Sequence, residues 1–203
     1  AAKELRPCSL APARPDGPVL RSLGVAWLFL RFVQLCLGTF LVAMLVEESG
    51  YSLVAAGVML SLVQASGVLG RIVWGWIADA TGDTLGLLHK LGLVTVVCCV
   101  ATAFLGPSWP LPATVALFVV FGLASVGWNG LFLAEIAHAS PRGMVSVTTS
   151  AAMVWNYGGI LIGPAIFATA YRLNGRYALT FGWIALVVGG AGHPASTPPR
   201  FGR

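Results

Sequence analysis

Six long apolar stretches joined by short polar hinges occupy nearly all of the chain between Leu23 and Gly190. They fall at about 23–46, 53–78, 87–105, 112–137, 146–171 and 177–190. A helix that crosses a bilayer needs roughly 20 mainly apolar residues. The first five stretches reach or approach that length. The sixth is short and stops at the polar run His193-Pro-Ala-Ser-Thr-Pro-Pro199. Only 9% of the residues are charged, against 57% hydrophobic, with a mean hydropathy of +0.85. Soluble domains carry about 25% charged residues, so lipid must be the solvent for much of this surface. The expectation is an all-α polytopic membrane protein with six transmembrane helices over 23–190. Residues 1–22 then form a linker-like segment and 191–203 a polar, Pro-rich tail. The 25 glycines and 12 prolines suit helices in lipid, where small residues permit close packing and neighbours satisfy freed backbone groups.

The net charge of +5 does not point to nucleic acid, because the basic residues form no single face or arm. They sort instead as membrane topology sorts them. If six helices alternate, Lys3, Arg6, Arg14, Arg21, Lys90, Arg142, Arg200 and Arg203 share one side, and only Arg172 and Arg176 face the other. The positive-inside rule makes the richer side, with both termini, cytoplasmic. Tyr51, Trp109, Tyr171 and Tyr177 then fall at the outer interface. No secretory signal is read in residues 1–22. The first residue is not Met, so the chain is expected to be processed or part of something longer. Cys36, Cys98 and Cys99 lie inside apolar stretches and read as small buried hydrophobes.

A polar group in hydrocarbon is expensive and asks for a reason. Arg31 and Gln34 share a face of the first helix. Gln64, Gly67, Arg71 and Gly75 form a stripe on the second. On the fourth, Gly122, Ser125 and Asn129 line one side, with Trp128, Glu135 and His138 on another. On the fifth, Thr149, Ala152, Asn156, Gly159 and Gly163 line up. The third and sixth helices have no charge in their apolar cores. Four helices with a polar seam and two without suit a bundle with a wet interior and a lipid-facing rim. Arg31 either snorkels to phosphates or contacts a solute. Arg71 either neutralises Asp79, reaches headgroups or lines a pathway. Asn129 and Asn156 serve as interhelical glue or as ligand contacts, and Gly159-x-x-x-Gly163 is a packing motif by default. Glu135-x-x-His138 has metal-ligand spacing, but seven acidic residues and no second such pair leave a metal site without support. No catalytic triad, zinc motif or phosphate loop is present, so the expectation is a non-enzyme with no cofactor.

The second hinge carries the most specific pattern, Gly70-Arg-Ile-Val-Trp-Gly75-Trp-Ile-Ala-Asp79-Ala-Thr-Gly82. It resembles the loop signature of the major facilitator superfamily, G-x-x-x-D-x-x-G followed by basic residues, matched at Gly75, Asp79 and Gly82. Asp83 and Thr84 stand where the family usually has Arg or Lys, a departure that favours the second half of such a transporter. Gly127-Trp-Asn-Gly through Pro141-Arg-Gly143, then Gly159-x-x-x-Gly163-Pro164, is similar to the tenth and eleventh helices of bacterial members. The resemblance implies a six-helix half of a twelve-helix secondary transporter in a bacterial inner membrane. Within it an inverted repeat relates residues 23–105 to 112–190. It further implies a second six-helix half as partner, covalent or through a homodimer, and a small solute carried by alternating access. The candidate pathway residues are Arg31, Gln34, Gln64, Asn129 and Asn156. The candidate gating residues are Gly75, Asp79, Gly82 and Arg71. The intramembrane arginine favours an organic anion. The competing reading is a non-transporting six-helix membrane protein, either an assembly partner or a truncated product.

Overall fold

The computed structural model describes residues 18–139 and 145–191, with side chains over most of 28–134 and 146–185. Its helices are α1 (Pro18–Glu47), α2 (Leu53–Thr81), α3 (Thr84–Ala103), α4 (Leu111–Gly127), α5 (Asn129–Ala139), α6 (Val145–Asn174) and α7 (Tyr177–Ala191). The fourth apolar stretch is therefore two helical segments, interrupted at Trp128. That residue stays right-handed helical (φ −67°, ψ −19°), and Phe132 N–H donates to its carbonyl at 3.1 Å. The break is a local slip within one span rather than a turn. Helix α1 starts five residues before its apolar stretch, at Pro18, a residue whose fixed φ suits a first helical turn.

Four described segments are long and apolar enough to cross a membrane: Leu30–Glu47, Leu53–Thr81, Gly86–Ala103 and Leu111–Ala134. Helix α6 matches α1 in length at 30 residues, whereas α7 has 15, about 22 Å, short of a full crossing. Cys36, Cys98 and Cys99 are free and buried.

Hinge chemistry explains where the helices stop. Ser52 caps α2, its Oγ accepting from Ala55 N–H at 3.2 Å. Gly82 ends α2 in the left-handed region (φ 64°), its N–H returning to the Ala78 carbonyl. Asp83 then caps α3, Oδ1 accepting from Gly86 N–H at 2.9 Å. This places an acid where the family signature has a base, because here the next helix starts at once and its N–H groups need an acceptor.

Three helix pairs dominate the packing: α1 with α6, α2 with α4, and α3 with α7. Count α4 and α5 as one span and exchange the first three spans for the last three. The α1–α6 pair then becomes α4–α2, and α3–α7 maps onto itself. This is the contact pattern of two inverted three-helix repeats, which the sequence carries only as matched hydropathy. The α1–α6 and α2–α4 crossings are each parallel, as Phe32 beside Gly163 with Phe40 beside Phe167, and Val63 beside Gly122 with Gly70 beside Gly127, make plain.

Toward the end where α1 finishes and α7 begins, the core is aromatic. There Phe40 stacks on Phe167 (ring centroids 4.4 Å), Phe167 meets Phe181 edge-on at 4.9 Å, and Phe181 meets Phe121 at 6.3 Å. These rings join α1, α6, α7 and α4 in one layer. Glu48 closes the same end. Its carboxylate accepts from the backbone N–H of Tyr177 and, at 3.1 Å, of Ala178. The hinge between α1 and α2 thus caps the first turn of α7, where orphan N–H groups favour a negative charge.

Candidate functional site

Distance along the helices sets the depth of each polar residue. Arg31 lies thirteen residues into α1, and Arg71 lies ten before the end of α2. Asn129 lies ten before the end of α5, and Asn156 eleven into α6. All four counts start from the same end of the bundle, the end bearing the Asp79 hinge. At about 1.5 Å per residue they occupy one layer, roughly 15–20 Å from that end of the helices. Gln64 lies seventeen residues from that end and belongs to a different level.

Within the layer, three of the expected residues meet. Arg31 Nη1 donates to Gln34 Oε1 at 3.1 Å. Asn129 Nδ2 donates to the same oxygen at 3.3 Å, and to the Val126 carbonyl at 3.0 Å. The bond from Asn129 to Gln34 ties α5 to α1 across 95 positions of sequence. The donors fix the amide orientation, since a guanidinium can only donate and so must face the Gln34 oxygen. The Gln34 NH₂ is left as a donor. Arg31 Nε is buried and has no hydrogen-bond partner among the described residues.

Other elements bring the remaining members of the layer. A methyl group at Gly159 of α6 would stand 3.8 Å from Arg31 Cβ and 3.4 Å from the Leu28 carbonyl oxygen. Tyr157, one helical step from Asn156, lies at the same level on α6. Arg71 roots beside α5: its Cβ is 4.0 Å from where a Cβ on Gly130 would be. Asn156 turns within its own helix, Nδ2 reaching Met153 Sδ at 3.6 Å.

The second-helix stripe splits. Gly67 is buried under Val126, whereas Gln64 and Arg71 are exposed. The buried face of α2 is instead Val63, Ser66, Gly67 and Gly70, which lies against α4. Gly122 and Ser125 likewise serve packing. Gly122 meets Val63 and Ser66, and Ser125 Oγ bonds back to the Phe121 carbonyl at 2.7 Å. Trp74 Nε1 donates to the Leu123 carbonyl at 2.8 Å and locks this crossing.

At the hinge, Asp79 is exposed in the last turn of α2, and Gly75 has open space around it. Gly82 is a glycine because of its positive φ rather than any close approach within the bundle. Arg71 stands two turns from Asp79, about 12 Å of helix rise, too far for the direct neutralisation considered from sequence. Glu135 and His138 fall within α5, and their side chains lie outside the described residues.

The Major Facilitator Superfamily model matches residues 3–164. The chain belongs to the Major Facilitator Superfamily. It is therefore an integral membrane protein of a transporter family. No curated protein matches the chain.

Sequence reasoning about this major facilitator chain missed Tyr157, Trp74 and Glu48. A mid-span tyrosine one position from Asn156 is a readable signal. The two other roles depend on which helix lies opposite, which periodicity does not reveal.

Proposed function

We propose that this chain is one six-helix half of a secondary transporter that moves a small solute by alternating access, with an organic anion as the candidate. The meeting of Arg31, Gln34 and Asn129, drawn from two spans into one layer, carries the reading. An intramembrane arginine held by a neighbouring amide, with its Nε unpartnered among the described residues, is suited to an anion.

The gating reading rests on Asp79. A carboxylate in the last turn of its own helix faces that helix's negative end. A helix N-terminus from a second half would stabilise it, and breaking that contact would accompany rocking. Gly75, with open space beside it, suits a close approach from outside the bundle. Gly82 fixes the turn that presents the hinge. The distribution of Lys and Arg supports a cytoplasmic hinge end with both termini on that side, in a bacterial inner membrane.

Uptake of labelled organic acids into vesicles tests the proposal, with the chain alone and with a second six-helix half. Accumulation only with the second half is the expected result. Replacing Gln34 and Asn129 by Leu should lower it by about tenfold or more. Undiminished uptake after loss of Arg31, Gln34 and Asn129 together would remove the pathway reading. Absence of uptake in every combination would favour the non-transporting alternative.

A further inference from the structure

The face of α1 that carries Arg31 and Gln34 continues beyond them, away from the Asp79 hinge. At about 100° of turn per residue, Gln34, Leu35, Gly38 and Val42 all fall within about 60° of Arg31. Along this stripe Arg31, Gln34, Leu35 and Val42 are partly exposed, and Gly38 is exposed. Among the described residues, no atom outside its own stretch of helix lies within 4 Å of where a Cβ on Gly38 would stand. Thr39, also exposed, borders the stripe. The exposed row of α3 is built differently. Beyond Lys90 it consists of Leu93, Val94, Val97, Val100 and Phe104, all apolar and large, as contact with hydrocarbon favours. A row that opens with a guanidinium and an amide and continues with a glycine suits hydrocarbon poorly. It also starts at the bonded cluster, where Asn129 meets Gln34 from α5. The open stripe of α1 therefore belongs with that cluster.

From this we propose that Arg31 and Gln34 hold the head of a small monocarboxylate whose apolar body lies along α1 over Gly38, and that Gly38 sets how large the body can be. The assignment rests on the anion reading of the cluster and goes beyond it in the charge and shape of the solute. Arg31 brings the one positive charge of the bonded cluster, which matches one carboxylate. Gln34 Oε1 is occupied by Arg31 and Asn129, so its NH₂ is left to donate to the same head. Gly38 stands four residues past Gln34 and seven past Arg31, about 6 and 10 Å of helix rise. A ring or short chain attached to the carboxylate spans that distance, and a two-carbon acid does not. Such a body would lie on the bare backbone at Gly38, between the apolar side chains of Leu35 and Val42. Any larger residue at Gly38 projects a side chain into the same space. Gly38 thus determines specificity through the body of the solute and leaves its head to Arg31 and Gln34.

The test is thermal unfolding of the full chain in detergent with acetate, hydrocinnamate or the uncharged hydrocinnamyl alcohol, each variant compared with its own ligand-free form. Hydrocinnamate should stabilise most, acetate weakly and the alcohol least. Gly38→Phe should weaken hydrocinnamate about tenfold and leave acetate nearly unchanged, with Gly38→Val in between. Gly38→Ala should behave almost as the parent, since its methyl meets no neighbour. Arg31→Gln should remove the response to both acids. Equal responses to the two acids in the parent, or a Gly38→Phe variant that loses both or neither, would overturn the role of Gly38. The alcohol matching hydrocinnamate would show a ring adsorbed without its charge and would overturn the assignment too. The two readings fail separately. Acids that stabilise through Arg31 without regard to their bodies refute the Gly38 assignment alone. No response to either acid, or one that survives Arg31→Gln, removes the anion site and this assignment with it.

Discussion

The α2–α4 and α1–α6 crossings are equivalents under the inverted repeat, yet they are built differently. At α2–α4, glycines face each other from both helices. A methyl group at Gly70 would lie 2.8 Å from the Leu123 carbonyl oxygen and 3.2 Å from Gly127 Cα, both backbone atoms that cannot swing aside. At α1–α6, the contacting glycines among the described residues come from α6. A methyl at Gly163 would meet the Phe32 ring at 3.2 Å, and one at Gly159 would find 3.4 Å or more. The first crossing is a rigid backbone-to-backbone contact. The second keeps side chains between the helices, and Arg31 is one of them. Repetition gives the bundle two similar joints, and the looser one borders the polar layer.

The sharpest way to break that contrast is an alanine at Gly70 or Gly122. Each should destabilise the bundle by about 1–3 kcal/mol or more through overpacking, read by detergent-induced unfolding. A null result at both would mean that α2 and α4 are not in such close contact. The next effect belongs to the looser joint. Gly159→Val should leave stability within about 1 kcal/mol, yet lower solute uptake about tenfold by displacing Arg31 from Gln34. A loss of stability equal to that at Gly70 would erase the difference between the joints. Trp74→Phe removes the cross-helix bond to Leu123 and should cost about 0.6 kcal/mol, the average for a hydrogen bond between membrane helices. Gly159→Ala should be smallest, within about 0.5 kcal/mol of the parent, since its methyl meets only ordinary contacts. Measuring these five variants on one unfolding scale ranks the joints directly.

Much of this was legible in the sequence, for identifiable reasons. Apolar stretches set the helices because lipid demands internally satisfied backbones. Gly82 and Asp83 mark a helix end and a helix start through local chemistry, and Arg31 and Gln34 share a face by simple spacing. Partners were harder to read. In water, an exposed face is polar, so the pattern reveals what is buried. Here Val58, Leu62, Leu69, Ile72 and Trp76 of α2 are exposed although apolar, so hydrophobicity does not tell a neighbouring helix from lipid. That is why Gly67 was grouped with Gln64 and Arg71 when it belongs to the α4 contact. It is also why the pattern does not show that Gln64 lies a full level away from Asn129.

The clasp between Glu48 and the start of α7 has a mechanical consequence. It fastens the chain's first turnaround to its last, so the spans form a hoop rather than a row with a loose end. Force applied at any one span is shared around the circuit. If the bundle rocks as proposed, it tilts as a single piece, and its moving seams lie outside the hoop.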